Sequence, residues 1–149
     1  MARLETACGQ LRRSLQVNCK SALCKTPAMT AEETVNEFIR RVVAKDLDGA
    51  AELVSDDLEY DNVPLGKNHG PDGLKTFLGA MVSGFEEVEF VVHRQTVTGN
   101  IVMNERTDRF RNGEKWIDLP VAGVFEVDAA GKVSLWRDYF DMATFTNQM

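Results

Sequence analysis

Cysteine and histidine are scarce in this chain of 149 residues: three cysteines, Cys8, Cys19 and Cys24, all near the N-terminus, and two widely separated histidines, His69 and His93. An odd number of thiols with no histidine beside them completes no zinc set, so the cysteines are expected as free thiols and no metal site is expected. The histidines are expected at the surface or in hydrogen bonds rather than as a metal pair. No apolar run approaches the roughly 20 residues of a spanning helix, and the N-terminus lacks the continuous apolar stretch of a secretory signal. A soluble, cytoplasmic protein with no membrane partner is therefore expected. No basic stripe extends past the first residues, and the net charge is -6, which argues against a nucleic-acid partner. Internal repeats and low-complexity tracts are also lacking.

What is there suits one domain, with 44% hydrophobic residues to form a core or a modest cavity. The composition breaks near residue 28. Before it, Arg3, Arg12, Arg13, Lys20 and Lys25 face a single acid, Glu5, whereas residues 29–149 carry the whole negative excess. Residues 1–28 therefore read as a basic extension, dispensable to a domain of residues 29–149 that opens at Met29.

Thr30-Ala31-Glu32-Glu33 fits a capping box and predicts a helix start. Val35, Phe38, Ile39, Val42 and Val43 follow at the spacing of one buried helical stripe. A shorter helix is predicted from Asp48 to about Val54, with Ala51, Leu53 and Val54 buried. Pro71 suits the first turn of a third helix, whose stripe would be Leu74, Phe77, Leu78, Met81 and Phe85. From Val88 the period becomes that of strands. Segments near 86–97, 100–111, 114–128 and 132–141 are joined by Gly99-Asn100, Asn112-Gly113 and Ala129-Ala130-Gly131, which suit tight hairpins and predict an antiparallel meander. With one short strand at Leu58 to Val63, the class is α+β: a cone-shaped, curved, mixed or antiparallel sheet closed by three to four N-terminal helices around a pocket.

Strand alternation puts Tyr60 with Asn62 on one face, Arg106 with Asp108 on another, and Asp138 beside the aromatics Trp136 and Phe140. If the aromatic face points inward, a carboxylate is carried in with it. A buried carboxylate needs a partner, and one Arg106 guanidinium can hold both Asp108 and Asp138. Such a line suits push-pull chemistry, in which an ionised acid takes a proton from attacking water while a protonated one donates to the leaving oxygen. Tyr60 and Asn62 would position the water. On spacing alone, Arg106 and Asp108 fit an outward surface pair as well, worth under about 1 kcal/mol. A one-residue change of register likewise turns Asp138 outward, and Tyr60 and Asn62 fit residues that merely close a turn as well. Asp118 and Asp141 are expected to be solvated, and Trp116 to pack rather than stack on a ligand.

Taken together, Tyr60-Asp61-Asn62-Val63-Pro64-Leu65, Glu105-Arg106-Thr107-Asp108, Gly123-Val124-Phe125 and Trp136-Arg137-Asp138-Tyr139-Phe140-Asp141 resemble, in order and spacing, the signature of the limonene-1,2-epoxide hydrolase family. The resemblance covers about residues 30–146. It implies a hydrolase that attacks an epoxide directly with water, forms no enzyme ester, and uses no metal or organic cofactor. It implies Asp138 as general base, Asp108 as general acid, Arg106 as bridge, and Tyr60 and Asn62 as water holders. An apolar substrate wall of Leu78, Met81, Phe85, Phe110, Leu119, Val121 and Phe140 is implied, as is a homodimer. The basic leader and the polar loop Gly66-Lys67-Asn68-His69-Gly70 depart from the family pattern, so limonene oxide stands beside other cyclic, aliphatic and steroid-like epoxides as a substrate. Two other functions stay open at this point: an isomerase or cyclase using Asp138 as a base on carbon, and a non-catalytic ligand-binding dimer module. The bridged second acid favours the hydrolase over the first, and the cost of burying three charges weighs against the second.

Overall fold

Thr30 caps the first helix as its sequence requires: its hydroxyl accepts from the Glu33 amide at 3.2 Å, and the Glu33 carboxylate accepts from the Thr30 amide at 2.8 Å. In the computed structural model, which describes residues 28–149, helix α1 spans Ala31–Val43 and buries Val35, Phe38, Ile39 and Val42, with Val43 at the stripe's margin. Cys8, Cys19, Cys24 and the rest of the basic extension up to residue 27 lie outside the described residues. The second helix is shorter than expected. Asp46 caps it by accepting from the Gly49 amide, and α2 covers only Leu47–Ala51. The Leu53 carbonyl then accepts from the Val133 amide at 2.9 Å, which draws Val54 into a strand instead of a further helical turn.

Strand β1, Val54–Asn62, is accordingly longer than the predicted segment at Leu58 to Val63. The expected polar loop at Gly66 to Gly70 is also a strand over most of its length. β2, Gly66–His69, folds back antiparallel on β1, pairing Glu59 with His69 and Asn62 with Gly66. Its polar composition suits the sheet edge it occupies. Helix α3, Gly70–Ser83, carries Pro71 in its first turn and buries Leu74, Leu78 and Val82, with Phe77 and Met81 half-buried beside them.

Strands β3 (Glu87–Thr98), β4 (Ile101–Asn112), β5 (Lys115–Val127) and β6 (Val133–Phe140) form the expected antiparallel meander. The sheet order is β2-β1-β6-β5-β4-β3, with β1 running parallel to β6, so the sheet is mixed. That parallel pairing sets Tyr60 opposite Trp136 and Asn62 opposite Asp138. A one-turn helix that sequence periodicity did not indicate, α4 at Met142–Thr146, closes the chain; Asp141 caps it by accepting from the Ala143 amide at 2.9 Å. Among the described residues no helix is long and apolar enough to cross a membrane.

Two apolar clusters fill the concave side of the sheet. In the larger, Trp136 lies stacked between Tyr60 and Phe125, with ring centroids 4.2 and 5.8 Å away, and Phe38 from α1 meets Trp136 edge-on at 5.1 Å. In the smaller, Val82, Val88, Phe110, Ile117, Leu119 and Val121 pack with Phe85, Phe140 and Phe145. The polar residues of the next section sit between them. Phe38 is fully buried and joins α1 to the aromatic stack, so Phe38→Ala is expected to destabilise the fold by about 3–5 kcal/mol. A lowered urea midpoint at unchanged slope is the measurement that checks it.

Candidate active site

Alternation along β4 turns Asn104, Arg106, Asp108 and Phe110 toward the concave side while Met103, Glu105 and Thr107 face out. On β6 the inward set includes Trp136 and Asp138, and on β1 it includes Leu58, Tyr60 and Asn62. The structure thus brings all five predicted polar residues to one buried place.

Arg106 organises it, with a side chain closed off from solvent and those of Asp108 and Asp138 only 7% and 4% exposed. Its Nε donates to Asp108 Oδ1 at 2.7 Å, and its Nη2 donates to Asp108 Oδ2 at 3.2 Å and to Asp138 Oδ2 at 2.6 Å. Nη1 donates to Asn104 Oδ1 at 3.1 Å, and the guanidinium lies over the Phe90 ring. Asp138 receives a second bond on its other oxygen from Trp136 Nε1, at 2.8 Å. One cation therefore holds two carboxylates at its fork while a third edge is met by a neutral amide.

Burial pushes the Asp108 carboxyl up to about 7; Arg106 pulls it back only in part, and the negative Asp138 adds to the rise. Burial also works against the charge on Arg106, but the attraction of Asp138 and Asp108 outweighs it and raises Arg106 above its ordinary value. Burial, with Asp138 nearby, raises the Tyr60 phenol as well, so Tyr60 keeps its hydroxyl proton. The Asn62 Nδ2 donor is buried with no partner among the described residues.

A cavity of about 40 Å³ opens beside these groups, and Tyr60, Asn62, Asp108 and Asp138 all line it. Of the apolar wall expected from sequence, Met81, Phe110, Leu119 and Phe140 line it too, whereas Leu78, Phe85 and Val121 do not. Leu78 is fully buried in the larger core cluster, Phe85 packs on Phe110 and Phe145, and Val121 belongs to the smaller cluster. Leu65, Phe77, Phe90 and Trp136 complete the lining and were not anticipated there. Asn104 was missed as well, although the alternation that singles out Arg106 and Asp108 extends to it two residues earlier.

Outside the cavity, His93 Nε2 lies 2.9 Å from Thr107 Oγ1, and His69 is the N-cap residue of α3. Asp118 pairs with Arg109, which itself lies over the Trp116 ring. Among the described residues no group of three His, Cys, Asp or Glu side chains is placed to hold a metal ion.

Gly123 on β5 sits between the two arms of the site, opposite Asn104 on one side and Asp138 on the other. A Cβ there would overlap Arg106 Nη1 and lie 2.9 Å from Asn104 Oδ1 and 3.1 Å from Asp138 Oδ1. The absence of a side chain is what admits the guanidinium. Gly123→Ala is expected to displace Arg106 and destabilise the fold by about 1–3 kcal/mol, read as a lowered urea midpoint.

Residues 29–149 match the family described as limonene-1,2-epoxide hydrolase catalytic domain. The chain is 37% identical over 108 residues to epoxide hydrolase EphG of Mycobacterium tuberculosis, covering 72% of this chain and 71% of that protein. It superposes on a solved LEH-like epoxide hydrolase from M. tuberculosis with a TM-score of 0.69 at 35% identity, covering 79% of this chain and 87% of the other. An NTF2-like protein of unknown function from Burkholderia pseudomallei shares the fold alone, with a TM-score of 0.69 at 19% identity over 79% of this chain and 95% of its own. A family match over residues 29–149 and a relative above one-third identity across most of both chains place this chain in the limonene-1,2-epoxide hydrolase family.

Proposed function

We propose that this epoxide hydrolase adds water directly to a small apolar epoxide, in one step and without metal or organic cofactor, to give a vicinal diol. The observation that carries the reading is a single buried guanidinium shared by two carboxylates at the edge of an apolar cavity. In this reading Asp138 takes a proton from water as the water oxygen bonds to an epoxide carbon. The carbon–oxygen bond on that carbon breaks, and Asp108 delivers its proton to the departing oxygen. Opposite roles need opposite protonation states, and Arg106 supports both by stabilising the ionised Asp138 while Asp108 is held near 7 by burial. The Asn62 amide donor and the Tyr60 hydroxyl hold the water against Asp138, so that attack starts from an oriented pair. The apolar lining of Met81, Phe110, Leu119 and Phe140 receives the hydrocarbon part of the substrate. The same reading carries a homodimer, in which Val91, Ile101, Met103 and Tyr139, exposed on the outer face of the sheet, are covered.

Asp138→Asn keeps the shape and removes the base, and is expected to cut diol formation by about a hundredfold to ten-thousandfold. The assay is a panel of racemic and meso epoxides in oxygen-18 water with chelator present, read in a single turnover. Labelled diol from the wild type fits direct attack by water, whereas unlabelled first-turnover diol or a fully active Asp138→Asn sinks the mechanism.

The acid role also sets a pH dependence. Asp108 must carry its proton, so kcat/KM is expected to fall as pH rises through about 7. Its folded value lies above the unfolded one, so the bound proton stabilises the fold below the ordinary carboxylate range, and this contribution is lost as pH rises through about 7. A pH–rate profile flat from 6 to about 9, measured across the expected limb, would exclude Asp108 as the acid.

A further inference from the structure

Arg106 makes one contact that the proposed reaction does not use. Its Nη1 donates to Asn104 Oδ1, and from there polar contacts run away from the cavity to helix α1. Asn104 Nδ2 donates to Gln95 Oε1 at 3.4 Å, and Gln95 Nε2 donates to Glu32 Oε1 at 3.2 Å and to Asn36 Oδ1 at 3.1 Å. Gln95 and Asn104 face each other in the β3–β4 register, and Glu32 and Asn36 lie one turn apart on α1.

The polarity of this series is set from both ends. A guanidinium only donates, and an ionised carboxylate only accepts. Between Arg106 and Glu32, each amide must therefore present its oxygen toward the cavity and its nitrogen toward α1. Either side amide turned around would set two donors or two acceptors face to face. Asn104 is only 5% exposed, so it has little recourse to water if turned. A neutral oxygen at this edge also satisfies Nη1 without adding a third negative charge beside Asp108 and Asp138.

We propose that Asn104 and Gln95 are positioning residues for the hydrolysis, forming with Glu32 and Asn36 a directed hydrogen-bond relay that fixes the plane of the Arg106 guanidinium, and with it the separation and orientation of Asp108 and Asp138. This rests on the hydrolase reading above. Neither amide lines the cavity, so the relay acts through Arg106 and not on substrate. Its loss lowers the rate of the chemical step and leaves substrate binding alone, because the apolar lining is untouched.

The test uses the full chain, with the epoxide of the panel that the wild type turns over best. Gln95→Met and Asn104→Leu are expected to lower kcat about tenfold or more with KM within about threefold of wild type. Gln95→Glu, which keeps the shape but sets an acceptor against Glu32, is expected to do the same, and the double variant Glu32→Gln with Gln95→Glu to recover most of the lost kcat. A kcat within about threefold of wild type in the folded variants, or a change confined to KM or to melting temperature, overturns the relay. If Asn104→Leu fails to fold, the partly exposed Gln95 variants decide the matter. Wild type and Asp138→Asn run alongside: no diol from the wild type, or full activity of Asp138→Asn, removes the hydrolase reading and the relay with it. Normal behaviour of those two with unchanged relay variants removes the relay alone.

Discussion

Taking the Arg106 guanidinium out of water strips it of hydration that must be replaced donor by donor, and the concave face of the sheet is arranged around that replacement. Two carboxylates, an amide oxygen and an aromatic face surround the ion. An isolated charge at this depth would be untenable, whereas a paired one with its hydrogen bonds satisfied is sustainable. The choice of Gly123 on the neighbouring strand and the indole donor on Asp138 both follow from it. So does the division of labour between the acids. Asp138 takes one bond from Arg106 and one from the Trp136 indole, while Asp108 takes both of its bonds from Arg106 and sits in a buried setting that favours its proton.

The apolar clusters on either side serve the same end in a different way. Trp136 packs between Tyr60 and Phe125 while its ring nitrogen reaches Asp138, so one side chain is at once core and support. Such double use links the rigidity of the core to the placement of the carboxylate.

Much of this was legible in the chain. α1 and α3 announce themselves by a capping box, a proline and periodic apolar stripes, and the meander by alternation broken at Gly99, Gly113 and Gly131, whose φ values are 63°, 62° and 78°. Arg106 and Asp108 were visible as neighbours on one strand face, and a face shared with Trp136 pointed Asp138 inward. What stayed hidden was non-local. β2 has no apolar face to announce it because it lies at an edge, and α4 is held by a side-chain cap over a single turn, too short for a period. The partition of apolar residues between cavity and core could not be read either. Leu78 lies on the same helix as the cavity-lining Met81, yet less than one turn turns it into the core. Asn104 and Gln95 were overlooked because an uncharged amide acquires meaning only from what its two ends touch.

The pairing of β1 with β6 has a temporal side. Asn62 meets Asp138 across 75 intervening positions. During synthesis the helices and the early strands emerge well before their partner does. Helices close on local contacts quickly, while a parallel pairing between distant segments must wait for a large loop to close. The hydrophilic centre therefore cannot close before β6 has been made. A nascent chain halted before β6 has Arg106 and Asp108 paired on β4 but lacks Asp138 and Trp136, and the edge of β5 that β6 later covers is left open to unwanted pairing.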